Sequence, residues 1–336
     1  MISTYNSPEK LRVALRSVAL QTHPVDEIIV VGDCCSRETG EMLGDLKLPN
    51  LRYINLSVRC GEQAIPNAIG TLASTSKYVA YLNHDDLWLP WHISMALEGV
   101  SQRHKSWFVG SAAFCESEVD ESSETAPVFE SRSDPLRTIV NSFSKTYIYL
   151  EPNSSWLIER DKVLAANNWT PAWKIGRTPV AELALKLWRY NGEPAFCNSV
   201  SVAKIKGDRS GRQIPLYTRK PSLHLLLERL IIKNGQHWPQ QVTWPTRVDE
   251  HRGRPAIVRF RGLPGGQQLS TAMDTAMLLV YWLTGIDLVG RAIRRRWGAG
   301  HQLSRALRRR TGERHLAHYE VADVAAMVDP GESRNH

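Results

Sequence analysis

Apolar and polar positions follow two rhythms along the first third of the chain. Leu11, Leu15 and Val18 recur at i, i+4 and i+7 behind Ser7-Pro8-Glu9, which reads as an N-cap with proline at the first helical position. That predicts a helix to about Gln21. After Thr22-His23-Pro24, the run Glu27-Ile-Ile-Val-Val31 is continuous and β-branched, as in a strand buried on both faces. Leu51–Asn55, Tyr78–Leu82 and Trp107–Phe114 repeat that pattern, with helical stretches near 36–46, 62–74 and 90–104 between them. Strand and helix alternate, so the fold class predicted is α/β, a mostly parallel central sheet flanked by helices.

The rhythm then changes. Residues 116–135 are acidic, serine-rich and poor in large apolar side chains, which predicts a surface loop. A second α/β portion over 136–206 contains a strand at Ser155–Ile158, a helix from Val180 to Tyr190 and an extended segment from Ala195 to Ile205. From Gly207 the chain is punctuated by Gly, Arg and Pro, then carries a Leu-rich helix at Ser222–Lys233 and an irregular stretch from Pro239 to Pro264. The apolar run Ala276–Ile286, bracketed by Asp274 and Asp287, is too short to span a bilayer alone. Four parts follow: 1–115, 116–135, 136–206, and a mainly helical, basic C-terminal extension, 207–336.

A 42% hydrophobic and 23% charged composition excludes disorder or a fibrous repeat as a description of the whole. Five scattered cysteines, an odd number without a C-x-x-C pair, argue for a reducing, cytoplasmic compartment, and no signal peptide is visible. Charge matters in one place. Arg291 to Arg314 holds nine arginines against the single acid Glu313, a surplus equal to the chain's net charge of +8. Three readings of this tail stay open. The Leu/Trp-rich segment packs on the body or lies in a membrane surface, with Arg291–Arg314 touching anionic lipid headgroups on its inner face. Alternatively, the arginines pair with acids of the same chain. Nucleic acid is disfavoured, because no aromatics are interleaved for base stacking.

In an open α/β sheet ligands bind beyond the carboxyl ends of the strands. There, Glu27–Val31 runs into Gly32-Asp33-Cys34-Cys35, and Tyr78–Leu82 runs into Asn83-His84-Asp85-Asp86-Leu87-Trp88. Adjacent carboxylates repel unless a cation or ligand meets them, and Mg²⁺ or Mn²⁺ carrying phosphate oxygens would do so. The plainer readings are helix capping by the Asp pair, a turn residue at Asp33, and a hydrogen-bonding role for His84.

Four segments carry a resemblance: Thr4-Tyr5-Asn6-Ser-Pro, Ser17-Val-Ala-Leu-Gln21-Thr-His-Pro24, Ile28–Asp33, and Tyr78-Val-Ala-Tyr-Leu-Asn-His-Asp85-Asp86-Leu-Trp-Leu-Pro90. In this order and spacing they resemble the family 2 glycosyltransferases of the GT-A fold. The resemblance covers roughly 1–115 and continues more weakly to about 205. It implies that 1–115 is the nucleotide-sugar-binding half and 136–206 the acceptor-side half. It implies a nucleotide-diphosphate sugar donor, with Ser3 and Tyr5 lining the base and Asp33 hydrogen-bonded to it. Asn83 and Asp85 would stand at the D-x-D position, with Asp85 and Asp86 on a metal, Mg²⁺ or Mn²⁺. Glu182, in Arg177-Thr-Pro179-Val-Ala-Glu182, falls on the family's base for inverting transfer, against the plainer reading of a solvent-facing first-turn Glu. Asn153 and Ser154 would face the acceptor, a glycan or lipid-linked glycan of polysaccharide and cell-envelope synthesis.

The sequence also departs from the family pattern. Gly32 replaces an Asp, Cys34-Cys35 a Gly-Ser, Asn83 the first acid of D-x-D, and Ile65-Pro66-Asn67 the A-R-N stretch. The chain begins almost inside the first motif, which predicts that apolar residues of the first strand precede Met1. These departures keep a competing reading open: a degenerate domain of this type that binds nucleotide sugar or glycan without turnover.

Overall fold

The computed structural model describes residues 1–115, 129–131, 143, 152–205, 266–299 and 318–326. Its first half alternates β1 (Ile2–Thr4), α1 (Pro8–Ala19), β2 (Ile28–Gly32), α2 (Arg37–Asp45), β3 (Leu51–Asn55) and α3 (Ala64–Ala73). Then come β4 (Tyr78–Ala80), β5 (Leu82–Asn83), β6 (Asp86–Trp88), α4 (His92–Gln102) and β7 (Trp107–Cys115). Beyond them lie β8 (Phe129–Ser131), β9 (Trp156–Glu159), α5 (Arg160–Ala165), α6 (Pro179–Asn191) and β10 (Ala195–Ile205). The described extension holds α7 (Gly266–Thr284), α8 (Leu288–Trp297) and α9 (Val321–Ala326). The predicted helix at 222–233, most of the acidic loop, and 300–317 lie outside the described residues.

The strands form two sheets. One is parallel, in the order β3-β2-β1-β5, as the continuous apolar runs predict. The other is mixed, β4-β9-β7-β10-β6 with β8 added beside β7, and only the β7–β10 pair in it is parallel. The strand expected over 78–82 is therefore two strands. Tyr78–Ala80 pairs with β9 in the mixed sheet, while Leu82 and Asn83 pair with Ile2 and Ser3 in the parallel one. Tyr81, fully buried between them, shares a hydrogen bond with Thr71 (2.8 Å) and meets the Trp169 ring edge-on.

Leu11, Ala14, Leu15 and Val18 form the buried stripe of α1, packed with Ile28, Val30 and Leu82. Ser7 stands at the N-cap, but its hydroxyl makes no capping bond; burial of that stripe, with Pro8 at the first helical position, sets the helix start. A second core lies under the mixed sheet. Trp107, Trp156, Trp169, Leu183 and Leu187 meet Met277 and Tyr281 of α7 and Val289 and Ile293 of α8. The described part of the extension is thus built into the body. Val324 of α9 joins Ile29, Val31, Ile54, Leu56, Ile65 and Ile69 on the far face of the parallel sheet. Among the described residues no single helix is long and apolar enough to cross a membrane.

Candidate active site at the carboxyl ends of the parallel sheet

Three turns leave the parallel sheet at the same end and are tied together by backbone and amide bonds. Asn6, at φ 40°, receives the Ser36 amide on its side-chain oxygen (2.8 Å). Asn55 holds both sides of Cys35, receiving its N–H (2.8 Å) and donating to its carbonyl (2.9 Å). This clamp explains Gly32: a Cβ there would lie 2.6 Å from the Asn55 side-chain oxygen and 2.7 Å from the Tyr53 hydroxyl. The Asp of the family pattern and this Asn55–Tyr53 pair exclude each other.

Asp33 is buried, and its oxygens accept the amides of Cys60 (2.6 Å) and Gly61 (2.8 Å). Burial raises its pKa against the pull of those amides and of Arg59. Asp33 therefore shapes the 57–63 loop, and a base would use the lone pairs the amides leave. The same loop places the Arg59 guanidinium 4.1 Å from the centre of the Tyr5 ring, a cation–π contact on the ring expected to line the base. It also half-buries Glu62, whose Oε1 accepts the Ala172 amide (3.1 Å). Burial pushes the Glu62 pKa up to about 7, and Asp33 adds to the rise.

At the third turn Ser3 is buried in β1 opposite Asn83, and its carbonyl lies 3.3 Å from His84 Nδ1. Asp86 is wholly buried and surrounded by donors: Lys204 Nζ at 2.8 and 2.9 Å, Ser154 Oγ at 2.5 Å and Asn83 Nδ2 at 2.9 Å. Burial raises its pKa, Lys204 opposes the rise and Asp85 reinforces it. Asp86 was expected on a metal; here it is the internal pivot joining β6, β10 and the 153–155 turn, with its oxygens turned inward. Ser154, expected to face an acceptor, is likewise fully buried, donating to Asp86 and accepting the Asn83 amide (3.1 Å). Asn153 is buried beside it. Asp85, half-buried at the tip of the turn, is the carboxylate that remains at the corner.

Glu182 belongs to a different network. It sits in the first turn of α6 behind the Thr178 cap, accepts from Thr170 (3.0 Å) and pairs with Lys186 (3.2 Å). Its side chain is 20% exposed, which rules out the solvent-facing reading. Burial raises the Glu182 pKa and lowers that of Lys186. Nearby, Arg177 binds Asp287 (2.6 Å), tying α6 to α8.

Residues 1–162 match the family model described as "Glycosyl transferase family 2". Over that span, just under half of its length, the chain is similar to glycosyl transferase family 2. Its α/β architecture, a parallel sheet flanked by helices, is the GT-A fold. Among curated proteins no sequence matches the chain. Of solved structures, Staphylococcus aureus TarS 1–349 in complex with UDP is 16% identical, with a TM-score of 0.48, covering 62% of this chain and 60% of that one. The same fragment with UDP-GlcNAc is 16% identical, with a TM-score of 0.48 over 62% and 58%. A longer S. aureus TarS structure is 18% identical, with a TM-score of 0.47 over 69% and 38%. The chain thus spans about 60% of the TarS 1–349 length.

Family 2 enzymes commonly use a divalent metal, and the donor set here can be tested for fit. No cluster of three His, Cys, Asp or Glu side chains gathers for a metal among the described residues. A hard divalent ion that takes most of its ligands from a diphosphate and water needs only one or two protein carboxylates. Asp85 meets that need, and Asp86, occupied by Lys204, does not. Three residues around these turns escaped sequence reasoning: Arg59, Glu62 and Lys204. Lys204 had a signal, a lone lysine in the apolar run Ser201-Val-Ala-Lys-Ile205.

Proposed function

We propose that this protein is a glycosyltransferase that transfers a sugar, with inversion, from a nucleotide-diphosphate sugar to a hydroxyl of a polysaccharide or lipid-linked glycan. The observation that carries the reading is the meeting of Tyr5, Asp33 and the Asn83–Asp85 turn at one end of the parallel sheet of a family 2 domain. The base lies against Tyr5 and Arg59, in a slot whose far side is the loop held by Asp33. The diphosphate lies towards Asp85, which would hold Mg²⁺ or Mn²⁺; when bound, the ion offsets charge building on the departing diphosphate. Glu182 takes the proton from the acceptor hydroxyl, a task suited to a carboxyl whose pKa burial raises above the ordinary carboxylate value.

Calorimetric titration with UDP-, dTDP- and GDP-sugars, with and without Mn²⁺, tests the donor side. One nucleotide class is expected to bind, and Asp85→Ala to lose the metal-dependent part. No binding by a folded protein would sink the reading. Glu182→Gln is expected to keep donor affinity while kcat falls by on the order of 10²–10⁴. One observation favours a second reading, binding without turnover: an uncharged Asn83 and a neutralised Asp86 leave one carboxylate at the corner. Donor binding in a protein that neither hydrolyses nor transfers the sugar with any glycan tried would establish that alternative.

A further inference from the structure

We propose that the outward faces of α7 and α8 dock this protein on an anionic lipid bilayer. The inference is independent of the donor chemistry. From Ala276 to Ile286 there is no charged side chain, yet among the described residues of α7 only Met277 and Tyr281 are buried. Met277 and Tyr281 point into the core, where Tyr281 meets the rings of Phe143 and Trp188. Leu279, Trp282 and Leu283, at i, i+3 and i+4, are 53%, 54% and 61% exposed. An amphipathic surface helix would carry polar side chains there, and a contiguous exposed apolar patch marks an interaction surface.

Neighbouring groups extend the patch and give it charge. Arg189 donates to the carbonyls of Trp282 (2.9 Å) and Leu283 (3.3 Å), which sets the adjacent Tyr190, 58% exposed, beside them. Gly285, at φ 74°, turns the chain, and α8 leaves at 104° to α7. On α8, Val289 and Ile293 face the core, while Leu288, Arg291 and Arg295 recur at i, i+3 and i+7 on the exposed side. Arg291 and Arg295 make no ion pair among the described residues. Trp297, with Arg296 over its ring, closes the basic end.

Apolar and aromatic tips that dip below the headgroups, flanked by guanidinium groups at headgroup height, match an anionic membrane surface. A second copy of the chain, presenting the same arginines, would set like charges against each other. The patch lies on the helices that pack against α6, and none of its residues belongs to the turns at the parallel sheet's carboxyl end.

The test is co-sedimentation of the full chain with phosphatidylcholine vesicles, with or without phosphatidylglycerol. Binding is expected only with phosphatidylglycerol, and is expected to weaken as salt rises. The double variant Arg291→Glu, Arg295→Glu is expected to bind about tenfold more weakly or worse, each basic residue near the surface contributing on the order of 1 kcal/mol. Trp282→Ser with Leu283→Ser is expected to reduce binding while melting temperature and circular dichroism stay at parental values. The Asp85→Ala variant is expected to sediment as the parent does, whatever its donor binding. No sedimentation, equal sedimentation with neutral vesicles, or a lipid-independent dimer dissociated by Leu283→Ser would each overturn the proposal.

Discussion

Asp86 and Lys204 show how a single exchange of partners changes the meaning of a residue. A buried carboxylate is tolerable only while its cation and donors stay in place. Lys204→Met removes the cation and leaves Ser154 and Asn83 to hold the charge; chemical denaturation should show a loss of about 3–5 kcal/mol, largely recovered when Asp86→Asn is added. Glu62 is the opposite kind of acid, one whose proton the fold holds more tightly than water does. With a folded pKa of about 7 against 4.5 for the ordinary carboxyl, the folded chain binds its proton more tightly. That contribution to stability is present below about pH 4.5 and is lost as pH rises through about 7. Glu62→Gln keeps the acceptor for Ala172 and removes the titration, so its melting temperature relative to the parent should climb between about pH 5 and pH 8. Melts at stepped pH read this directly, and a flat difference would refute it. The position of Asp33 and Asp85 just beyond strands of the parallel sheet was legible in the sequence because each follows an apolar run. The inward turn of Asp86 was not, since its cation comes from a strand 118 positions away.

At the scale of elements, continuous apolar runs and i, i+4, i+7 stripes found α1 to α4, α6, and β2, β3 and β7 to within a residue or two. These are segments whose burial is settled by their own side chains. The break at Tyr81 left no trace in the pattern, because Tyr78–Leu82 is apolar whichever sheet receives it. Nor could the sequence show that α8 rests directly on another segment's backbone. A Cβ on Gly176 would lie 2.0 Å from the Gly290 carbonyl oxygen and 2.9 Å from the Arg294 amide, and neither can give way without moving the helix. Gly176→Ala should therefore cost about 1–3 kcal/mol by overpacking and expose the α7–α8 connection to limited proteolysis. An unchanged melting temperature with an unchanged digestion pattern would show that α8 is not seated there.

At the scale of the whole molecule, the described extension does not hang from the α/β body; it completes two of its cores. Trp173 donates to the Tyr319 carbonyl (3.0 Å), Lys174 pairs with Glu320, and Arg294 donates to the Lys174 carbonyl (2.8 Å). The short 172–174 turn is thus bound to the donor-side loop through Glu62 on one side and to α8 and the 318–326 segment on the other. The sequence left packing on the body as one reading among three, because charge counts record the arginines and are blind to Val289, Ile293 and Val324 beneath them. Tyr81 draws the same lesson furthest. Met1 brackets it, the amino group donating to the Ala80 carbonyl and the Met1 carbonyl receiving the Leu82 amide, each at 2.9 Å. One peptide therefore passes from sheet to sheet without a linker, like a thread sewn through two pieces of cloth at the seam. Such a seam has no slack: the halves cannot swing apart to admit a ligand, and amides on both sides of Tyr81 would exchange with solvent together, at the rate at which the entire body opens.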